Sequence, residues 1–199
     1  MTKRFFLTAL VAIFCLGSVF SLSEAKAEDT IVQMDTSMGK IVLRLDERKA
    51  PITVANFLEY AKAGFYDGTI FHRVIKGFMI QGGGFTADLT QKSTHAPIKN
   101  EASQTTRNNQ YTIAMARTSD PNSATSQFFI NTKNNRFLDP DRSQDGVGYC
   151  VFGRVIQGKE VVDKIEAVET SNKHPFYKDV PVTPVVIKSV TVLSASQSK

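Results

Sequence analysis

Between residues 31 and 46 the chain alternates, with Ile41, Leu43 and Leu45 on one side and Val42, Arg44 and Asp46 on the other. That is the period of a strand with one buried face. Ser37-Met38-Gly39-Lys40 divides the run and predicts a hairpin. From Thr53 the period lengthens: Val54, Phe57, Leu58 and Ala61 share one helical stripe, which predicts a helix from Thr53 to Ala63, with Thr53 as N-cap and Gly64 as the stop. Beyond an Asp67-Gly68 turn, strand-like runs recur at 69–75, 78–82, 112–117, 127–132, 151–156 and 185–193, and Val161, Val162, Ile165 and Val168 form a second helical stripe. Strands in series, about eight of them with two helices, predict a mainly β protein: an antiparallel barrel capped by two α-helices. Residues 83–111, 133–148 and 169–184 lack periodicity. Loops of that length in a compact domain are usually ordered and functional, so these are expected to border the working surface.

The first 27 residues stand outside this pattern. Lys3 and Arg4 precede an apolar run from Phe5 to Phe20, and Ala25-Lys26-Ala27 follows, the order of a cleavable secretory signal. Cleavage after Ala27 is expected, leaving residues 28–199 as one exported domain. Cys15 sits within the apolar run behind Ala12, Ile13 and Phe14, not behind the small residues of a lipid-attachment site. No lipid anchor and no stable membrane association are expected.

Charge and cysteine content narrow the function classes. Removing the leader takes three of the 24 cations and one of the 19 anions, so the expected mature chain keeps 21 and 18, too mild a balance to imply a nucleic-acid partner. One cysteine remains, Cys150, in the apolar setting Tyr149-Cys150-Val151-Phe152. It cannot form an internal disulfide and reads as a buried, inert residue. The three histidines, His72, His95 and His174, fall in no metal-ligand spacing, and neither a GxSxG nor a phosphate-binding loop is present. No metal and no cofactor are expected, and His72, inside a strand-like run, is expected to be structural.

The dense feature is GFYDGTIFHRVIKGFMIQGGG, Gly64 to Gly84. Its spacing of Tyr66, Thr69, Phe71, His72, Arg73, Phe78, Met79, Gln81, Gly82 and Gly83 resembles the cyclophilin signature. TIAMARTSDPNSATSQFFINT, Thr112 to Thr132, resembles the segment of that family carrying the substrate-backbone site and a pocket phenylalanine, and Phe137-Leu138-Asp139 and Gly148 to Gly153 look like its remaining pocket wall. The resemblance covers nearly all of the expected mature chain and is strongest to the periplasmic bacterial isomerase A branch. It implies a cyclophilin-like barrel and a peptidyl-prolyl cis-trans isomerase of the periplasm, acting as a monomer on proline-containing, unfolded or flexible polypeptides.

Carried over by position, the resemblance makes Arg73 the electrophile toward the prolyl amide and Gln81 the group that orients it. Phe78, Met79, Phe129 and Leu138 become the proline pocket. Gln127, Phe137, Tyr149 and the main chain of Ala116 and Arg117 become further substrate contacts. Phe137 and Tyr149 depart from the better-known eukaryotic pattern of tryptophan and histidine, which implies weak cyclosporin binding. Arg117 stands where many relatives carry asparagine, which implies an altered preference before proline. Two other readings fit part of the pattern: a proline-peptide binding module or chaperone of the same fold, and a small-molecule carrier barrel. Arg73 with Gln81 argues against the first, and the long loops against the second.

Overall fold

A computed structural model describes residues 30–172 and 178–193; the expected signal sequence and His174 lie outside them. The elements run β1 (Ile31–Thr36), β2 (Gly39–Leu45), α1 (Pro51–Lys62), β3 (Thr69–Ile75), β4 (Met79–Thr86), β5 (Thr112–Met115), β6 (Phe128–Asn131), a 3-10 turn (Arg136–Leu138), β7 (Val151–Gln157), α2 (Lys159–Glu166), β8 (Thr170–Ser171), β9 (Val180–Pro181) and β10 (Ile187–Leu193). Eight strands form one antiparallel sheet in the order β10-β1-β2-β7-β5-β6-β4-β3, and β8 and β9 pair separately. The sheet curls until its outer strands meet: Ile70 bridges Val186, and the amides of Gly68 and Phe71 donate to the carbonyls of Ile187 and Val185, both at 2.9 Å. α1 packs on β10, and α2 against β2, β3 and β4.

Alternation along the strands divides the apolar side chains between two clusters. Ile80, Ile113, Met115, Phe128 and Ile130 face the main core, while Met79, Ala114 and Phe129 face outward into a second, smaller cluster. β6 is buried at all four positions, so it reads as an unbroken apolar run. Phe57 of α1 anchors the main core, its ring 5.1 Å from Tyr66, 5.8 Å from Phe128 and 5.4 Å from Phe152. Burying such a ring is worth about 1.5–3 kcal/mol.

Three expectations need correction. α1 begins at Pro51, with Ala50 at the N-cap and no side-chain cap of its own, so Thr53 lies inside the helix. The capping acceptor comes from a distant loop: the Glu101 carboxylate accepts from the amides of Ile52 at 3.1 Å and Thr53 at 2.8 Å and from the Thr53 hydroxyl at 2.7 Å. A carboxylate there serves the free amides and the positive end of the helix dipole together. β4 continues past Gly82 to Thr86, because main-chain pairing of Thr69 with Thr86 carries it through glycines that show no side-chain pattern. Within 169–184, Thr170 and Ser171 pair with Pro181 and Val180. The other end of α1 is as expected: Gly64 sits at φ +64, its amide donates to Ala61 and that of Phe65 to Tyr60, a Schellman stop.

Candidate active site

Strand register assembles the site. Arg73 on β3 lies opposite Gln81 on β4, Gln81 opposite Phe129 on β6, Phe129 opposite Ala114 on β5, and Ala114 opposite Val151 on β7. One transverse row across five strands therefore runs from a cation through an amide to apolar side chains. Residues that share a row share a face. Above the row opens a cavity of about 100 Å³ lined by Arg73, Phe78, Met79, Gln81 and Ala116, and by Arg117, Phe129, Leu138 and Tyr149. Met79, Phe129 and Leu138 are buried, and the Tyr149 ring meets Phe129 edge-on at 5.7 Å.

Two of the residues picked from the sequence stand outside the lining. Gln127 lies beside it, accepting at Oε1 from Gln81 Nε2 at 3.0 Å. Gly84 leaves room for it, since a β-carbon there would sit 2.5 Å from Gln127 Cγ. Phe137, 57 % exposed, stacks on Phe78 at 5.5 Å and extends the apolar rim. Gln81 thus bonds Gln127, and the Arg73 Nε lies 4.0 Å from the Asp179 carboxylate, with both side chains partly exposed. The Ala116 amide donates to the Gln127 carbonyl at 3.0 Å, so what Ala116 offers a peptide is its own carbonyl.

Arg117 lines the cavity, and its side chain is also bound to the neighbouring loop. Only 3 % of its side chain is exposed. Its guanidinium donates to the Gly148 carbonyl from Nε at 3.3 Å and Nη2 at 3.0 Å and to the Thr118 carbonyl at 3.0 Å; it pairs with Asp145 and lies 4.3 Å over the Tyr149 ring. The amides of Gly148 and Val147, together with Arg117, hold the Asp145 carboxyl well below the usual carboxylate range. Arg117 therefore fastens the loop that carries Tyr149.

A second set of supports has no counterpart in the sequence reading. Asn108, Asn131, Asn135 and Asp139 are all buried. Asn135 Nδ2 donates to the Phe78 carbonyl and to Asn131 Oδ1, each at 2.7 Å; Asn131 donates to Asn108 at 3.3 Å; and the Asn108 amide donates to Asp139 at 2.8 Å. Asn108 also reaches the carbonyls of Leu138 and Tyr149. One polar network thus fixes three stretches of cavity wall. The asparagine-rich runs at 108–110 and 131–135 were its only trace in the sequence.

The remaining titratable candidates are silent. His72 is buried against Phe85, and burial, then the neighbouring Arg73, pushes its pKa down to about 4. Cys150 is buried, its thiol pushed up to about 11 mainly by desolvation, with the Thr53 hydroxyl 3.4 Å away. Among the described residues no group of three or more His, Cys, Asp or Glu is placed to hold a metal, and no helix is long and apolar enough to cross a membrane.

An apolar slot with a cation at its lip suits a polypeptide that is held rather than cut. Comparison with known proteins agrees. A family profile described as "Cyclophilin type peptidyl-prolyl cis-trans isomerase/CLD" matches residues 31–192. The chain is 58 % identical to a peptidyl-prolyl cis-trans isomerase of Streptomyces antibioticus over 81 % of its own length and 98 % of that protein. It is 52 % identical to peptidyl-prolyl cis-trans isomerase A of Dickeya dadantii over 97 % and 99 %. A Cryptosporidium parvum cyclophilin solved in the presence of the dipeptide Ala-Pro superposes with a TM-score of 0.71 at 28 % identity, covering 82 % of this chain and 99 % of that one. The protein is thus an isomerase of the prolyl peptide bond, and it belongs to the cyclophilin-type peptidyl-prolyl cis-trans isomerase family.

Proposed function

We propose that this isomerase turns X-Pro bonds in exported polypeptides, with Arg73 stabilising the twisted prolyl amide. The single observation that carries this reading is the cross-strand row, which sets Arg73 and Gln81 beside Phe129 at a cavity whose apolar wall includes Phe78, Met79 and Leu138. Rotation about a peptide bond is slow because the nitrogen lone pair is delocalised into the carbonyl. At the twisted transition state that resonance is lost and the nitrogen becomes pyramidal and basic. A fixed cationic donor at that nitrogen binds the twisted amide better than either planar isomer. No bond is made or broken, so the chemistry asks for no nucleophile, acid–base pair or metal.

An acceleration of about 10⁵ requires roughly 7 kcal/mol, beyond what one charge-assisted hydrogen bond of about 1.5–3 kcal/mol supplies. The rest comes from the environment. Met79, Phe129 and Leu138 hold the proline ring and exclude water around the amide, and the Ala116 carbonyl takes an amide of the chain before proline. Gln81, anchored through its Nε2 on Gln127, keeps its own carbonyl oxygen as an acceptor for the site. Asp179 adds a second anchor for the guanidinium.

Export to the periplasm by the leader at residues 1–27 is part of the same proposal. The alignment with the Dickeya isomerase supports it, since a match over 97 % of the chain extends into that segment. Titration of the isotopically labelled protein with an Ala-Pro peptide tests the site: amide shifts are expected at Gln81, Phe129 and Ala116, and shifts confined to α1 and β10 would refute it. N-terminal sequencing of the exported form is expected to begin at Glu28; a retained Met1 would refute the leader.

A further inference from the structure

Next to the proline cavity the outer face of the barrel carries an unusual concentration of positive charge. Arg44 on β2 lies directly opposite Arg154 on β7. Like charges facing each other across two strands destabilise the pair. The same groove, with a volume of about 300 Å³, is walled by Arg48 and Lys49 from the turn before α1 and by Arg107 from the loop before β5. Lys49 is paired with Asp46, and Arg107 with Asp139 and Asp141. Arg48 and Arg154 are exposed and make no ion pair among the described residues. Among the described residues Asp46 is the one acid in the lining.

The groove is not remote from the site. Val151 lines it and also belongs to the apolar cluster with Met79, Ala114, Phe129 and Leu138, and Arg107 is tied to Asp139, next in sequence to Leu138 of the cavity wall. Through Val151 and the Arg107–Asp139 pair the groove adjoins the cavity wall, on the side where a chain flanking a bound proline would run. Guanidinium groups present planar paired donors that match carboxylates, and several together raise the local concentration of an anionic chain.

We propose that this groove binds acidic segments of the polypeptide whose proline is being turned, so that the enzyme favours X-Pro bonds flanked by aspartate and glutamate. The inference rests on the isomerase reading of the neighbouring cavity. It places the selectivity in KM: the groove holds ground and transition states alike and leaves the amide chemistry untouched.

Exchange NMR on a set of peptides tests it: a neutral Ala-Pro peptide, and the same peptide carrying four glutamates or four lysines, with each extension placed on either side of the proline in separate syntheses. At low salt one of the glutamate peptides is expected to show kcat/KM about five- to twentyfold above the neutral one, through KM alone, and the gain is expected to collapse near ~0.5 M salt as the charges are screened. The double variant Arg48→Gln, Arg154→Gln is expected to reduce the gain to less than about twofold while leaving the neutral peptide unaffected. Lys164→Gln with Lys188→Gln, which removes the same charge elsewhere, is expected to keep the gain. Four outcomes overturn the proposal: no gain with either glutamate peptide, an equal gain with lysine, a gain that survives Arg48→Gln, Arg154→Gln, or one lost equally in the control. Binding to phosphatidylglycerol vesicles that the double variant abolishes, without any glutamate gain, would assign the groove to a lipid surface and also overturn it. Failure of the parent to turn the neutral peptide would instead sink the isomerase reading itself.

Discussion

A buried guanidinium must be satisfied from within, and Arg117 meets that demand with three carbonyl contacts from two residues, one carboxylate and one aromatic face. The same bonds fix Gly148 and Tyr149, so the side chain positions the pocket wall. Arg117→Ala leaves Asp145 without its guanidinium partner, holding the amides of Val147 and Gly148, and frees Tyr149 to move. Tyr149 lines the cavity, and in the proposed mode it meets proline in the planar and twisted states alike, so KM is expected to rise about five- to twentyfold with kcat altered much less. Arg117→Lys is expected to rescue little, since a point charge cannot serve Gly148, Thr118 and Asp145 at once. Steady-state kinetics together with the Tyr149 ring signals by NMR check this. An unchanged KM, or a Tyr149 signal that stays as sharp as in the parent, would contradict it.

Among the elements, α1 shows most clearly what local sequence can and cannot encode. Its C-terminal stop was legible because Gly64 supplies the left-handed turn by itself. Its N-terminus was not, because the capping carboxylate belongs to Glu101, 48 residues from Thr53. Glu101→Ala removes the acceptor of three hydrogen bonds and a charge at the helix start, and is expected to lower stability by about 1–2 kcal/mol, with Glu101→Gln intermediate. Denaturant unfolding measures it; a loss below about 0.3 kcal/mol would show that solvent caps the helix equally well. The strands follow the same division. Alternation gave away the hairpin of β1 and β2, but the glycines of β4 join the ladder through their main chain and leave no side-chain period. In the site, Arg73, Gln81 and Phe129 were legible through their motifs. The asparagine network was not, since Asn108, Asn131 and Asn135 look in sequence like ordinary turn residues and meet only after folding.

On the scale of the whole molecule, His72 links the strand that carries Arg73 to stability. Its imidazole is 5 % exposed, its Nδ1 has no partner among the described residues, and its pKa in the fold is about 4 against 6.5 when unperturbed. The folded protein therefore holds His72 neutral while the unfolded chain takes up a proton below about pH 6.5. Its contribution is fully present above that pH and is lost as pH falls from about 6.5 to 4, by up to roughly 3 kcal/mol. Chemical denaturation at pH 7.5 and 4.5 is expected to show this loss, and His72→Phe to flatten it. An equal slope in the variant would place the acid sensitivity elsewhere. Catalysis is expected to show no step from His72 between pH 5.5 and 8, because the group stays uncharged throughout that range.

In the proposed function the row from Arg73 to Val151 makes the barrel a frame for one interaction, a cation directed at a twisted amide, and Arg73→Ala tests that proposal most directly. Exchange NMR for turnover and titration for peptide affinity would be run on the same purified variant. The account predicts that kcat and kcat/KM fall together by about a hundredfold or more while the affinity for an Ala-Pro peptide stays within about twofold of the parent. Near-normal kcat, or a loss of affinity that matches the loss of kcat/KM, would contradict it and return Arg73 to an ordinary strand arginine.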